Sequence, residues 1–431
     1  MKRLITAAGG AVAVAGCVAG LLYLGPGAGR PPADPPLAGA GTDVRAGAIG
    51  ELDTARERTR AHPKEPTVWA ALARAEIEQA RTTLDAARLD AADLALRRSL
   101  SLGPTDNYAA ETGRGLLANA RHAFTEGRAQ GLRATRMAPD RPDGYAVLAD
   151  AEIQLGHYSA ARAAVQRLLD LAPASAAYSR AAYDLETNGR TQDAEIALRR
   201  AVDSATGPDE RAFAEARLGD LVWSRGAVDR ADTHYRRALD AVPDHPYAQA
   251  GTARVLAARG ERGKALELYE RLVARTPLPQ FLLEALELRG AAPSDGRRPG
   301  GEAAALAAQV RLSLADGGPV DPQLALFAAD HGDPKDAVDL MSREWKHTRS
   351  VIAADALGWA LHRAGRAAEA LPYVRKAAST GWKSALFRYH RGAVEQALGR
   401  PEGARHLREA LALNPHFSPY HAPRATEMSR E

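Results

Sequence analysis

The sequence predicts an all-α solenoid, a stack of short antiparallel helix pairs, on three observations. First, Ala212–His245 and Pro246–Pro279 match at an offset of 34 residues: Gly219 falls on Ala253, Val222 on Leu256, Gly226 on Gly260, Ala231 on Ala265, Tyr235 on Tyr269 and Pro243 on Pro277. A fixed period of this size is the signature of stacked repeats. Second, apolar residues make up 45% of the chain but aromatics only 5%, so the apolar fraction is mostly Ala and Leu, both strong helix formers. Third, Leu218, Val222, Tyr235 and Leu239 form apolar stripes at helical spacing, with Arg and Asp opposite.

Each repeat has its own punctuation. Gly219 and Ala231 are placed where two antiparallel helices would cross, a site that takes only small side chains. Gly226 supplies the left-handed residue that ends the first helix, and Pro243 stops the second. Such a pair is too short to stand alone, so stacking supplies the core and each pair is expected to touch only its neighbours.

In order along the chain, Lys2 and Arg3 precede an uncharged run, Leu4–Leu24. As a helix its 21 residues would span about 30 Å, the thickness of a bilayer core. The basic residues before it place the N-terminus inside and the rest of the chain outside the cell membrane. Val14-Ala15-Gly16-Cys17 resembles a bacterial lipobox, which would make Cys17 a lipidation site, and a cleaved secretory signal is the third reading. All three export the chain. Gly25–Gly41, with five Gly, five Pro and four Ala, reads as a semi-rigid tether within a linker covering residues 25–46.

Residues 47–417 read as the array. Ile49–His62 is expected to be a lone helix. The first pair starts near Pro66 and is about two helical turns too long, which predicts lengthened helices around Arg81–Asp90. Pairs follow at 108–139, 142–174, 175–208, 212–245 and 246–279. Helices at Gln280–Gly290 and Glu302–Asp316 flank a Gly-, Pro- and Arg-rich loop (291–301), and the period recovers over 318–349, 351–383 and 385–416. A short tail, 418–431, is expected to fray or to pack loosely on the last helix.

The pattern W-x2-L-G-x2-Y…A-x3-F…P that runs through about nine of these stretches resembles the tetratricopeptide repeat. Trp69, Leu72 and Ala73 open it, and Tyr145, Leu148, Ala149, Ala161 and Pro173 repeat it. The resemblance implies a right-handed superhelix whose first helices line a concave groove, in which a protein or peptide partner binds. Carried over position by position, it implies Tyr183, Glu186, Phe213, Asp220, Trp223, Tyr247, Arg254, Trp359, His362, Arg363 and Tyr389 as groove residues. Asn119 also falls on a groove position, but no Lys accompanies it to clamp a C-terminal carboxylate.

Catalytic and metal signatures are weak. There is no G-x-S-x-G elbow and no H-E-x-x-H. Gly260–Lys264 lacks the Ser or Thr that a phosphate loop needs, and Gly113-Arg114-Gly115 lies inside an expected helix with no strand before it. His406, His416 and His421 form the one local histidine group, without Cys at ligand spacing. No cofactor and no metal are expected. A net charge of +4 over 431 residues provides no concentrated basic face for nucleic acid. The expectation is a non-enzymatic adaptor. A solenoid binding a small molecule or an envelope glycan is the alternative, and an enzyme would need a constellation assembled across repeats.

Overall fold

The computed structural model describes residues 45–83, 85–290 and 301–430. The hydrophobic run, Cys17, the linker up to residue 44 and loop residues 291–300 lie outside the described residues. Among the described residues every regular element is a helix, and none is long and apolar enough to cross a membrane.

Helix α1 (Arg45–Ala61) stands alone, as expected, and packs on α2 (Pro66–Thr83). α2 pairs with α3 (Ala87–Leu102), and these two are the lengthened pair that the spacing predicted. Then come α4 (Tyr108–Ala120) with α5 (Phe124–Met137), α6 (Pro142–Leu155) with α7 (Tyr158–Leu171), and α8 (Ser175–Thr187) with α9 (Thr191–Asp203). The type repeats are α10 (Pro208–Trp223) with α11 (Val228–Ala241), and α12 (Pro246–Ala258) with α13 (Arg262–Arg275). After them, α14 (Pro279–Gly290) packs with α15 (Glu302–Asp316), so the interrupted stretch still completes a pair. α16 (Pro322–His331) with α17 (Pro334–Glu344), α18 (Val351–Arg363) with α19 (Ala367–Ala377), and α20 (Ala385–Ala397) with α21 (Glu402–Leu413) close the array. α22 (His421–Met428) follows.

Local chemistry sets these boundaries. Pro142, Pro208, Pro246, Pro322 and Pro334 open helices, where the missing N–H would have no intrahelical partner anyway. Gly226 and Gly260 turn the chain between paired helices at φ +73° and +83°, a region that glycine enters without steric cost. Gly219, which its spacing puts where α10 and α11 meet, leaves room there for a side chain of α11. A Cβ there would lie 2.5 Å from the ring of Tyr235, and one at Gly251 would lie 2.3 Å from the same ring. Two glycines on consecutive first helices therefore admit a fully buried tyrosine from the second helix between them.

The stack also closes on itself. The Arg349 amide donates to Leu155 O (3.1 Å), and the Val351 amide to the Tyr158 hydroxyl (2.8 Å). Asn414 Nδ2 donates to Trp223 O (2.8 Å). A Cβ on Gly189 would sit 2.5 Å from Gly381 O. These partners are 191–193 residues apart where a hydrogen bond joins side chain to backbone. One winding of the superhelix thus rests on the next, and the expectation of neighbour-only contact fails. Across the interior, Arg81 of α2 comes within 5.9 Å of the Phe213 ring on α10. The tail is ordered as well: α22 packs on α20 and α21, and Ala425 is fully buried.

Candidate functional site

The groove positions lie on first helices, and the structure gathers them into two clusters. In the first, Phe213, Asp220, Trp223, Tyr247 and Arg254 line one cavity of about 300 Å³. Arg217, Gln280, Glu284 and Phe417 complete its wall. Glu186 lines a second cavity of about 300 Å³ beyond Trp223, bounded by Trp382 and Phe417. Tyr183 lies outside both, buried edge-on against Trp382 at 5.9 Å.

An ion-pair ladder crosses the first cavity, with rungs from four consecutive first helices. Arg217 Nη2 meets Glu186 Oε2 at 2.9 Å, and its Nη1 meets Asp220 Oδ2 at 3.5 Å. Arg254 joins Asp220 Oδ1 (3.1 Å) to Glu284 Oε2 (3.1 Å). Tyr235, threaded between Gly219 and Gly251, donates its hydroxyl to Asp220 Oδ1 at 2.9 Å and accepts from Arg254 Nη1 at 3.3 Å. Tyr269, its counterpart one repeat on, donates to Glu284. The second helices, which face away from the groove, thus send hydroxyls through the first layer to its inner surface.

Burial would pull the Arg254 guanidinium down, but Glu284, Tyr235 and Asp220 outweigh it and hold the group well above its ordinary value. Burial pushes the Glu186 carboxyl up against the pull of Arg217. Burial also lowers His245 to about 4, so this cavity-lining ring is neutral at pH 7. Tyr247, which lines the cavity, packs edge-on against Phe281 at 5.5 Å. Phe213, Tyr247 and Phe281 are successive 34-residue equivalents. The space is therefore lined both by rings, Phe213, Trp223, Tyr247 and Phe417, and by mutually paired charges.

In the second cluster, Trp359, His362, Arg363 and Tyr389 are packed beneath the C-terminal segment. Trp359 is fully buried, stacks on His390 at 4.1 Å and donates Nε1 to Asp330 Oδ2 at 2.9 Å. Arg363 Nε lies 3.2 Å from the other Asp330 oxygen, and His421 Nε2 lies 3.3 Å from Oδ2. Burial lowers His362 to about 4. Tyr389 faces His421 at 4.8 Å and Phe417 at 5.7 Å.

The histidine group read from the sequence is dispersed: His406 pairs with Glu395, His421 with Asp330, and His416 is exposed. No metal-holding group of three His, Cys, Asp or Glu occurs among the described residues. Asn119 is fully buried and donates to Val147 O at 2.9 Å, so it is a packing residue and not a groove residue.

Sequence reasoning missed Arg217, Glu284, Tyr235 and Phe417. Arg217 carried a signal, because it stands where the repeat has Tyr183 before it and Gly251 after it. Tyr235 read as core, and it is core up to its hydroxyl. Phe417 lies outside the periodic part and carried no signal.

A family model described as "Tetratricopeptide repeat" matches residues 147–210 and 216–278. These residues carry tetratricopeptide repeats. The matched stretches include the ladder from Glu186 to Arg254. No curated protein matches the chain. Among solved structures, a thermophilic tetratricopeptide protein of Thermus thermophilus is 20% identical with a TM-score of 0.38, over 43% of this chain and 99% of its own. Pseudomonas aeruginosa pilF is 17% identical with a TM-score of 0.38, over 53% of this chain and 99% of its own. The human IFIT1 dimer with PPP-AAAA is 14% identical with a TM-score of 0.49, over 77% of each chain.

Proposed function

We propose that this tetratricopeptide array is a non-enzymatic adaptor that takes a linear protein segment on its inner face. The observation that carries the reading is the cavity between α10, α12 and α14. Aromatic side chains there share the space with paired charges, the two arginines Arg217 and Arg254 balancing the two acids Asp220 and Glu284, so the surface offers apolar contact and hydrogen bonding without a net charge to satisfy. Aromatic and Arg side chains are the ones that most often anchor interfaces. The ladder residues sit at positions where the repeats differ from one another, which is what a specific surface on a periodic scaffold requires.

Ala216 lines the same cavity, so a larger side chain there fills the space beside the ladder without removing any of its charged groups. Affinity capture with the full chain, followed by identification of what binds, should be repeated with Ala216→Phe. The expected result is capture reduced by about tenfold, or 1.4 kcal/mol, with circular dichroism and melting retained. Equal capture of the same proteins by both chains would sink the groove reading.

The convergence of several polar groups and four aromatic side chains on one cavity favours a second reading, a small molecule or glycan. On that reading Ala216→Phe abolishes a thermal shift by the small ligand and leaves protein capture unchanged. The adaptor reading includes export, with Leu4–Leu24 as the membrane tether and the repeats outside. Protease added to intact cells should then digest the array, and full protection would overturn this part.

A further inference from the structure

The inner face already holds a linear segment, and it is the chain's own. After Asn414 is clasped to Trp223 O, the backbone crosses the groove and Phe417 lines both cavities, as Trp223 does. Phe417 is therefore the partition between two spaces that share a wall. Ser418 Oγ then donates to Glu287 Oε2 on α14 at 2.9 Å. Tyr420 packs on His331 of α16 at 4.7 Å, and His421 Nε2 reaches Asp330 at 3.3 Å. The acceptors belong to first helices, so the segment is bound as a groove ligand would be: by an aromatic anchor, then a hydroxyl, then an imidazole.

We propose that residues 417–428 are an intramolecular occupant of the groove, displaced by a partner segment of the same chemistry: an aromatic residue followed within a few positions by hydroxyl, imidazole or cationic donors. This rests on the groove reading above and adds both the ligand class and its regulation. The chemistry follows from what departure of the segment leaves behind. Glu287 and Asp330 are buried, and a buried carboxyl without its donor is costly. Asp330 keeps Trp359 and Arg363, but Glu287 loses the Ser418 hydroxyl. An anionic ligand would meet the Asp330 carboxylate and be repelled, whereas a segment bearing donors restores the lost bonds. Because the occupant is tethered at Asn414, it acts at a high effective concentration. A free partner therefore binds the resting protein more weakly than it binds a protein whose segment has been released.

A fluorescein-labelled peptide of residues 412–430 tests this when titrated into the full wild-type chain and into the full chain carrying Phe417→Ala and His421→Gln. Binding to the variant should be tighter than to wild type by about tenfold or more, and a peptide carrying Phe417→Ala should not bind. Equal binding to both chains, or no binding to a variant of wild-type helicity, overturns the proposal. Should the double variant lose helicity, Tyr420→Ala, at a half-buried position, takes its place under the same criteria. Hydrogen exchange on the wild type gives an independent check: amides of α22 should open about tenfold faster than those of α20, and equal protection overturns the proposal. Failure of the groove reading is distinguishable, because it appears as capture unaffected by Ala216→Phe whatever the peptide does.

Discussion

The inner face carries two clusters at the same level of the repeat, one from α8 to α14 and one from α16 to α22, and they are completed in different ways. Between α8 and α14 the polar groups satisfy one another: Glu186, Arg217, Asp220, Arg254 and Glu284 alternate in sign along the helices. A cavity of about 300 Å³ stays open beside them. Between α16 and α22 the first helices offer acceptors, Glu287 at the edge and Asp330 within, and the C-terminal segment supplies donors. Self-pairing leaves a surface free to be visited, whereas acceptors awaiting donors recruit an occupant. The same scaffold thus presents an open surface on one side and a covered one on the other.

The difference can be broken at three points, from the largest expected effect to the smallest. Arg254→Met removes the rung that joins Asp220 to Glu284, while Asp220 keeps Arg217 and Tyr235 and Glu284 keeps Tyr269; the three side chains are 17–25% exposed, so the expected cost is up to about 3 kcal/mol. Urea unfolding should show stability falling by that amount, and a loss under about 1 kcal/mol would mean that water in the cavity screens the ladder.

The second point is Glu287, which burial pushes up to about 7 from its ordinary 4.5. A folded-state value above the unfolded one favours the protonated carboxyl. The stabilisation is therefore fully present below pH 4.5 and is lost as pH rises through 7. Glu287→Gln should be more stable than wild type at pH 8 and lose that advantage by pH 4.5, a swing on the order of 3 kcal/mol. His362 and His245, both lowered to about 4, act in the opposite sense, with stability present above pH 6.5 and lost toward pH 4. The measurement is therefore the difference between the two melting-versus-pH curves, in which the histidine contributions cancel. Parallel curves would show that Glu287 is not held protonated by its burial.

The smallest effect is expected from Tyr235→Phe, which keeps the ring between Gly219 and Gly251 and removes only the hydroxyl. A loss of about 1 kcal/mol in thermal or urea unfolding would confirm that the second layer contributes to the ladder. No change would make Tyr235 a packing residue only.

Export, the tether and Cys17 belong to residues outside those described, and they enter only through the protease experiment. Within the array, helix pairing, turn glycines and opening prolines were legible because each depends on residues close in sequence. Gly226 has to turn, and Pro208 and Pro246 have to start helices, whatever the rest of the chain does. Five of the expected groove residues came out on one cavity for the same reason: a 34-residue period repeats the inward direction from pair to pair.

What the sequence determined by itself is the period, the helix pairs and five of the residues that line the first cavity, because those follow from local backbone preference and helical spacing. Only the tertiary structure decided that the superhelix closes with Asn414 against Trp223. It also decided that Tyr235 passes between two glycines, and that the segment after Phe417 settles into the groove. The closure depends on the small rotation between adjacent pairs, accumulated over 191–193 residues, whereas the seating of Tyr235 depends on how two adjacent pairs pack. No single repeat encodes where that accumulated rotation brings the chain back to itself.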